Sequence, residues 1–119
     1  MTIFTSHAER RTGVIEVTGA LDDAAIVGLR DAIAEAVRQA GTPRVLIVAD
    51  GITAMSENAA LMVVIECARL RARGGNAAWI STRGQIVKPD SVPAATLYMS
   101  VYRSLSTALV LFGIEGMPP

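Results

Sequence analysis

"RVLIVADGITAMSENAALMVV", residues 44 to 64, contains two periodicities in succession. Residues 44 to 50, "RVLIVAD", form a near-continuous apolar run, the pattern of a strand covered on both faces. A polar triplet, Ser56-Glu57-Asn58, leads into a second apolar run with helical spacing. A strand, a short junction and a helix form the repeating unit of layered α/β structures. The triplet has an elementary reading: Ser56 is the N-cap, its hydroxyl accepting orphan backbone N–H groups. Glu57 then sits in the first turn, where the helix dipole favours an acid by about 0.3–1 kcal/mol. It also has a functional reading, because open α/β sheets usually bind ligands and partners beyond the carboxyl ends of their strands.

Upstream, "VIEVTG", residues 14 to 19, alternates apolar and polar like a strand with one covered face. "TIFTS", residues 2 to 6, is β-leaning, and "ERRTG", ending at Gly13, reads as the turn joining the two in a hairpin. In "ALDDAAIVGLRDAIAEAVRQAG", Ile26, Leu29, Ile33 and Val37 recur at helical spacing. Asp22 or Asp23 caps that helix, and Gly41 and Pro43 end it.

Downstream, "AALMVVIECARLRARGG" reads as a helix stopped by Gly74 and Gly75. Ala60, Val63, Val64, Cys67 and Leu70 share one stripe, which Leu61, Ile65, Ala68 and Ala72 widen. Only Met62, Glu66, Arg69 and Arg73 form an outward ridge, so this helix is expected to be buried over most of its girth. "NAAWIST", residues 76 to 82, is the next strand, and residues 83 to 93 form a loop. Helical spacing returns from Ala94 to about Phe112, with Leu97, Val101, Leu105, Leu109 and Phe112 on one side. The alternation of strand and helix predicts one α/β domain over residues 1–119 with a mostly parallel sheet.

Composition excludes several functions. The chain is 51% hydrophobic and 4% aromatic, so its core must be aliphatic. Eleven basic residues balance 11 acidic ones without clustering, which does not suit a nucleic-acid binder. The single cysteine, Cys67, allows no internal disulfide and points to a cytoplasmic setting. It lies on the buried stripe, where apolar burial raises the thiol pKa and makes it inert. His7 is the only histidine, so there is no Ser-His-Asp set and no His-rich metal site. No phosphate-cradling fingerprint occurs, and no cofactor or metal is expected. Arg103 and several hydroxyls interrupt the apolar tail, residues 97 to 114, so no membrane span is expected. With no acid–base or nucleophile set, the chain is not expected to be an enzyme.

An ordered series of segments resembles the STAS domain family, which includes the anti-sigma factor antagonists. Gly19-Ala20-Leu21-Asp22 resembles the family's "G-x-L-D" opening. "RVLIVADGITAMSENAALMVV" resembles its central strand, its "G-V-T-F-[ILM]-D-S-S-G-L" junction and its second helix. "ARLRARGGNAAWIST" and "STALVLFGIEG" resemble the Arg-rich helix end with the next strand, and the final helix. The resemblance implies a STAS-like mixed sheet of four or five strands with helices packed mainly on one face.

The departures fall on the family's phosphoacceptor motif. Aligned through Gly51-Ile52-Thr53, the serine phosphorylated in the antagonists becomes Glu57. The preceding Asp becomes Ser56, the second serine Asn58 and the glycine Ala59; the Asp at the family's strand end becomes Val48, or Asp50 if the alignment slips. Glu57 supplies a permanent charge of about −1 where a phosphoserine supplies about −1.5 to −2. Ser56 is a displaced candidate for phosphorylation, but one residue of shift turns a helical side chain by about 100°.

The resemblance therefore implies a non-enzymatic regulatory module that binds an anti-sigma factor or kinase-like regulatory protein. The expected surface is Asp22, Ser56, Glu57 and Asn58 with the ridge Met62, Glu66 and Arg69. The alternative is a small-ligand-binding or homo-oligomeric module without sigma-factor regulation. Its pocket or dimer face would involve the 83–93 loop and the last helix with Tyr98, Tyr102, Val110 and Leu111.

Overall fold

The central strand is longer than the apolar run that announces it. In the computed structural model, which describes residues 1–92 and 99–115, it spans Arg44–Met55 and stops one residue short of the N-cap Ser56. The described chain runs β1 (Ile3–Glu9), β2 (Thr12–Leu21), a 3-10 turn (Asp23–Ala25), α1 (Ile26–Ala40), β3 (Arg44–Met55), α2 (Glu57–Ala72), β4 (Asn76–Ile80), β5 (Ser100–Tyr102) and α3 (Leu105–Glu115). The five strands lie in the order β1-β2-β3-β4-β5. The β1–β2 hairpin is antiparallel and every other pair is parallel, so the sheet is mixed.

Successive side chains of a strand point to opposite faces, and both faces are covered. On one face Ile15, Val17, Val45, Ile47, Ala77 and Trp79 pack with Leu29, Ile33 and Ala36 of α1 and Val63, Cys67 and Leu70 of α2. On the other, Leu46, Ala78 and Ile80 pack with Ala108, Leu109 and Phe112 of α3. Two helices thus share one face and the third takes the opposite one. The near-continuous apolar character of residues 45–49 follows from this double cover.

Two glycines carry the geometry of β2. A Cβ on Gly13 would lie 2.7 Å from the Cβ of Ala36, so α1 sits close over the strand only because that side chain is absent. Gly19 has φ +105° and lies at a register shift against β3, a conformation that L side chains rarely adopt. The hairpin turn itself falls on Arg10 and Arg11, both with positive φ, as a two-residue type I′ connection requires. Gly13 lies inside the strand.

Two expectations need correction. Helical spacing from Ala94 to Phe112 does not describe one helix. Residues 93–98, including Leu97 and Tyr98, lie outside the described residues, but Ser100–Tyr102 form β5 against Ala78, Trp79 and Ile80. That pairing satisfies backbone groups on the edge of β4, a demand that side-chain periodicity does not reveal. The helix begins only at Leu105, where the Ser104 hydroxyl accepts the N–H of Thr107 at 3.2 Å. Nor is α2 buried over most of its girth. Leu61 is 53% and Ile65 45% exposed, whereas Met62 packs against the core. The helix meets the sheet with one side and α1 with its flank, so the ridge expected to face solvent begins in the seam between the two helices.

Candidate functional site

Parallel pairing of β2 with β3 ends at Leu21 opposite Met55, and the N–H of Ser56 donates to the Leu21 carbonyl at 3.0 Å. Both strands therefore release their next residues at the same edge of the sheet. From β2 come Asp22 and Asp23, and from β3 come Ser56, Glu57 and Asn58.

Each polar side chain at this edge has a defined task. Asp22 caps the 3-10 turn, its Oδ1 accepting the N–H of Ala25 at 3.1 Å. Ser56 caps α2, its Oγ accepting the N–H of Ala59 at 3.1 Å. The same hydroxyl donates to Asp23 Oδ1 at 2.6 Å, and Asn58 Nδ2 donates to Asp23 Oδ2 at 3.0 Å. Asp23 thus bridges two residues of the triplet. The hydroxyl of Ser56, and after it the amide of Asn58, hold its carboxyl below the usual value, against a smaller upward push from burial.

Glu57 is exposed in the first turn of α2, where its charge meets the positive end of the helix dipole. It accepts a hydrogen bond from the Ser91 hydroxyl at 2.5 Å, which ties the segment after β4 to this edge. The carboxylate is neither packed inside nor turned from solvent.

The expected site residues separate into two groups. Asp22, Ser56, Glu57 and Asn58 come together. Met62, Glu66 and Arg69 lie progressively farther along α2, Arg69 about 18 Å from Glu57 at ~1.5 Å per residue. Met62 is half-buried. The Glu66 side chain is only 12% exposed and is held by Arg69 at 2.9 Å and Arg30 of α1 at 3.6 Å. This ion-paired cluster borders a shallow groove with Val27 and Asp31. Arg69 is exposed.

Asp23 and Ser91 are the residues that sequence reasoning missed. The Asp22-Asp23 pair was readable as a helix cap, but only the 3-10 turn decides which carboxylate reaches Ser56. Asp50 lies within β3, and its Oδ1 accepts from the N–H of Thr82 at 2.9 Å and the Thr82 hydroxyl at 3.2 Å. It therefore fastens the end of β4 and makes no bond to the triplet among the described residues. Cys67 is 2% exposed, and burial pushes its thiol pKa up, with Arg71 drawing it partly back. His7 stands on β1 beside Glu9 at 3.6 Å. Among the described residues no three His, Cys, Asp or Glu side chains are grouped to hold a metal, and no helix is long and apolar enough to cross a membrane.

No family model matches the chain, and no curated protein matches it in sequence. Solved structures do. A Thermotoga maritima protein described as an anti-sigma factor antagonist matches with TM-score 0.69 at 12% identity, over 92% of this chain and 93% of that one. An anti-sigma factor antagonist from Mycobacterium paratuberculosis matches with TM-score 0.68 at 13% identity, over 94% of each chain. The anti-sigma factor antagonist SpoIIAA in its unphosphorylated form matches with TM-score 0.63 at 17% identity, over 91% of this chain and 94% of that one. The chain has the STAS-like fold of these proteins, at a sequence distance where likeness establishes the fold alone.

Proposed function

We propose that this chain is a non-enzymatic regulatory module that binds an anti-sigma factor or kinase-like regulatory protein at the sheet edge formed by Asp22, Asp23, Ser56, Glu57 and Asn58. One observation carries this reading: the exposed Glu57 carboxylate stands in the first turn of α2, on a fold otherwise found in anti-sigma factor antagonists. The mechanism is competition, in which occupying the partner frees the factor it restrains. Because the Glu57 charge is permanent, binding does not respond to phosphorylation.

The neighbouring hydrogen bonds support a set surface. The Ser56 hydroxyl is committed both as cap and as donor to Asp23. A phosphate on Ser56 would break that donation and place two like charges in contact. Arg69 and the outer end of the Arg30–Glu66–Arg69 cluster extend the surface along α2 and supply charge for register.

The test is calorimetric titration of the wild-type chain and of Glu57→Ser and Glu57→Lys against purified anti-sigma factor kinases of the same organism, with and without ATP. The wild-type affinity should be the same in both conditions, Glu57→Ser should become ATP-sensitive, and Glu57→Lys should bind at least about tenfold more weakly. Phosphate incorporated at Ser56 of the wild type, or undiminished binding by Glu57→Lys, would sink the proposal.

A further inference from the structure

The side of α2 that points away from the sheet is apolar. At about 100° per residue, Leu61, Ile65, Ala68 and Ala72 fall in one narrow arc, opposite the buried Ala60, Val63, Cys67 and Leu70. All four are exposed, and the half-buried Met62 and Val64 border the row. The steps between them are four, three and four residues, the spacing of the a and d positions through which two helices interlock. Apolar residues scattered singly over a surface are ordinary. A row at this spacing is a seam that one helix offers to another.

The two ends of the seam carry opposite charge. Glu57 begins α2, and Arg69, Arg71 and Arg73 close it. Glu57 meets the Ser91 hydroxyl but no cation among the described residues, and the exposed Arg73 meets no carboxylate among them. The two charges lie about 24 Å apart along the axis at ~1.5 Å per residue, too far to pair within one copy.

An antiparallel second copy of α2 answers both features. Setting Leu61 against Ala72 of the other copy also sets Ile65 against its Ala68. A large side chain then meets a small one in each of the four layers. The same register brings Glu57 of each copy within a turn of the other copy's Arg73 and opposes the two helix dipoles. A parallel pairing would instead set acid against acid and base against base. The chain's net charge is zero, so two copies approach without long-range repulsion.

We propose that two copies of this chain associate through α2, antiparallel, with Leu61 and Ile65 of each packed on Ala72 and Ala68 of the other. The contact is isologous, one patch meeting itself. It is confined to one helix per copy, below the ~1,200 Å² of standard interfaces, so the dimer is weak and reversible. Pairing covers the Glu57 end of α2, so a dimer withholds that end from another protein. This consequence rests on the proposed function; the dimer itself does not.

Sedimentation equilibrium of the full chain from about 0.01 to about 1 mM tests the proposal without any other protein present. The wild type should pass reversibly from monomer to dimer across that range. Ile65→Glu, at an exposed helix position, should weaken the dimer at least about tenfold while thermal unfolding shows a folded chain. Glu57→Lys and Arg73→Glu reverse one charge each and should each weaken self-association about fivefold, because each dimer contains two such pairs. An equimolar mixture of these two variants should regain the wild-type affinity, since every lysine then faces a glutamate and every remaining Glu57 an arginine. A wild type that stays monomeric throughout would leave the seam to a different protein, and the proposal would fail. It would fail equally if folded Ile65→Glu dimerised like the wild type, or if the mixture associated no better than its components. Affinity for an anti-sigma factor kinase enters none of these measurements, so failure here and failure of the proposed function are told apart.

Discussion

The Ser56 hydroxyl donates to Asp23 Oδ1 at 2.6 Å while accepting the N–H of Ala59 at 3.1 Å, so one oxygen starts α2 and joins it to the end of β2. The two residues are 33 positions apart in the chain. What brings them together is parallel pairing, which sets Leu21 beside Met55 and hands each strand's next residues to a shared edge. A helix cap thereby becomes part of a surface.

Ser56→Ala should lower stability by about 1 kcal/mol, within the ~0.5–2 kcal/mol range of cap removals. Ser56→Asn, which keeps a cap acceptor, should recover most of that loss. Urea denaturation of the two variants checks it; equal losses would mean that the cap contributes nothing beyond the side chain's presence.

Asp23 should titrate below an ordinary aspartate, and more normally when Ser56 and Asn58 are both replaced by Ala. Because its folded pKa is lowered, its contribution to stability is present above the unfolded value and is lost as pH falls through the folded one. Carboxyl NMR titration of the two proteins reads the difference directly. An unchanged Asp23 curve in the double variant would mean that these bonds do not hold in solution.

Gly13→Ala should destabilise the chain by about 1–3 kcal/mol, the usual cost of overpacking. The added methyl would meet Ala36 at 2.7 Å, and the backbone carbonyl oxygen of Ala36 at 2.8 Å, so no side-chain rotation relieves it. Thermal unfolding measures the loss, and a neutral result would mean that α1 lifts off β2 without cost.

Cys67 should react with a disulfide reagent far more slowly in the folded chain than after denaturation, because it is buried and its thiol pKa is raised. Labelling kinetics with and without urea test this. Rapid labelling of the native protein would show that α2 opens from the sheet.

Much of the layered architecture was legible because single residues carry their own local signals. Residues 44–50 read as a doubly covered strand, and each face found a helix partner. Ser56 read as a cap and is one. The errors arose where spacing alone carried the reading. Leu97, Val101, Leu105 and Leu109 are spaced like a helix face, yet Val101 is in a strand, because the open edge of β4 needed backbone partners. Leu61 and Ile65 looked like core and are exposed, because the position of α1 decides which flank of α2 is covered.

Local chemistry, carried along the chain itself, determined the strand–junction–helix unit, the cap at Ser56 and the permanent charge at Glu57. The tertiary structure alone decided that Asp23 reaches Ser56 and Asn58, that Ser91 reaches Glu57, that Glu66 lies in a seam with Arg30, and that Trp79 and Lys88 share a cavity. The reason is physical. Capping and helix-dipole effects act within a turn or two, whereas these pairings depend on the register of neighbouring strands and the approach of helices, which are settled by packing the whole sheet at once.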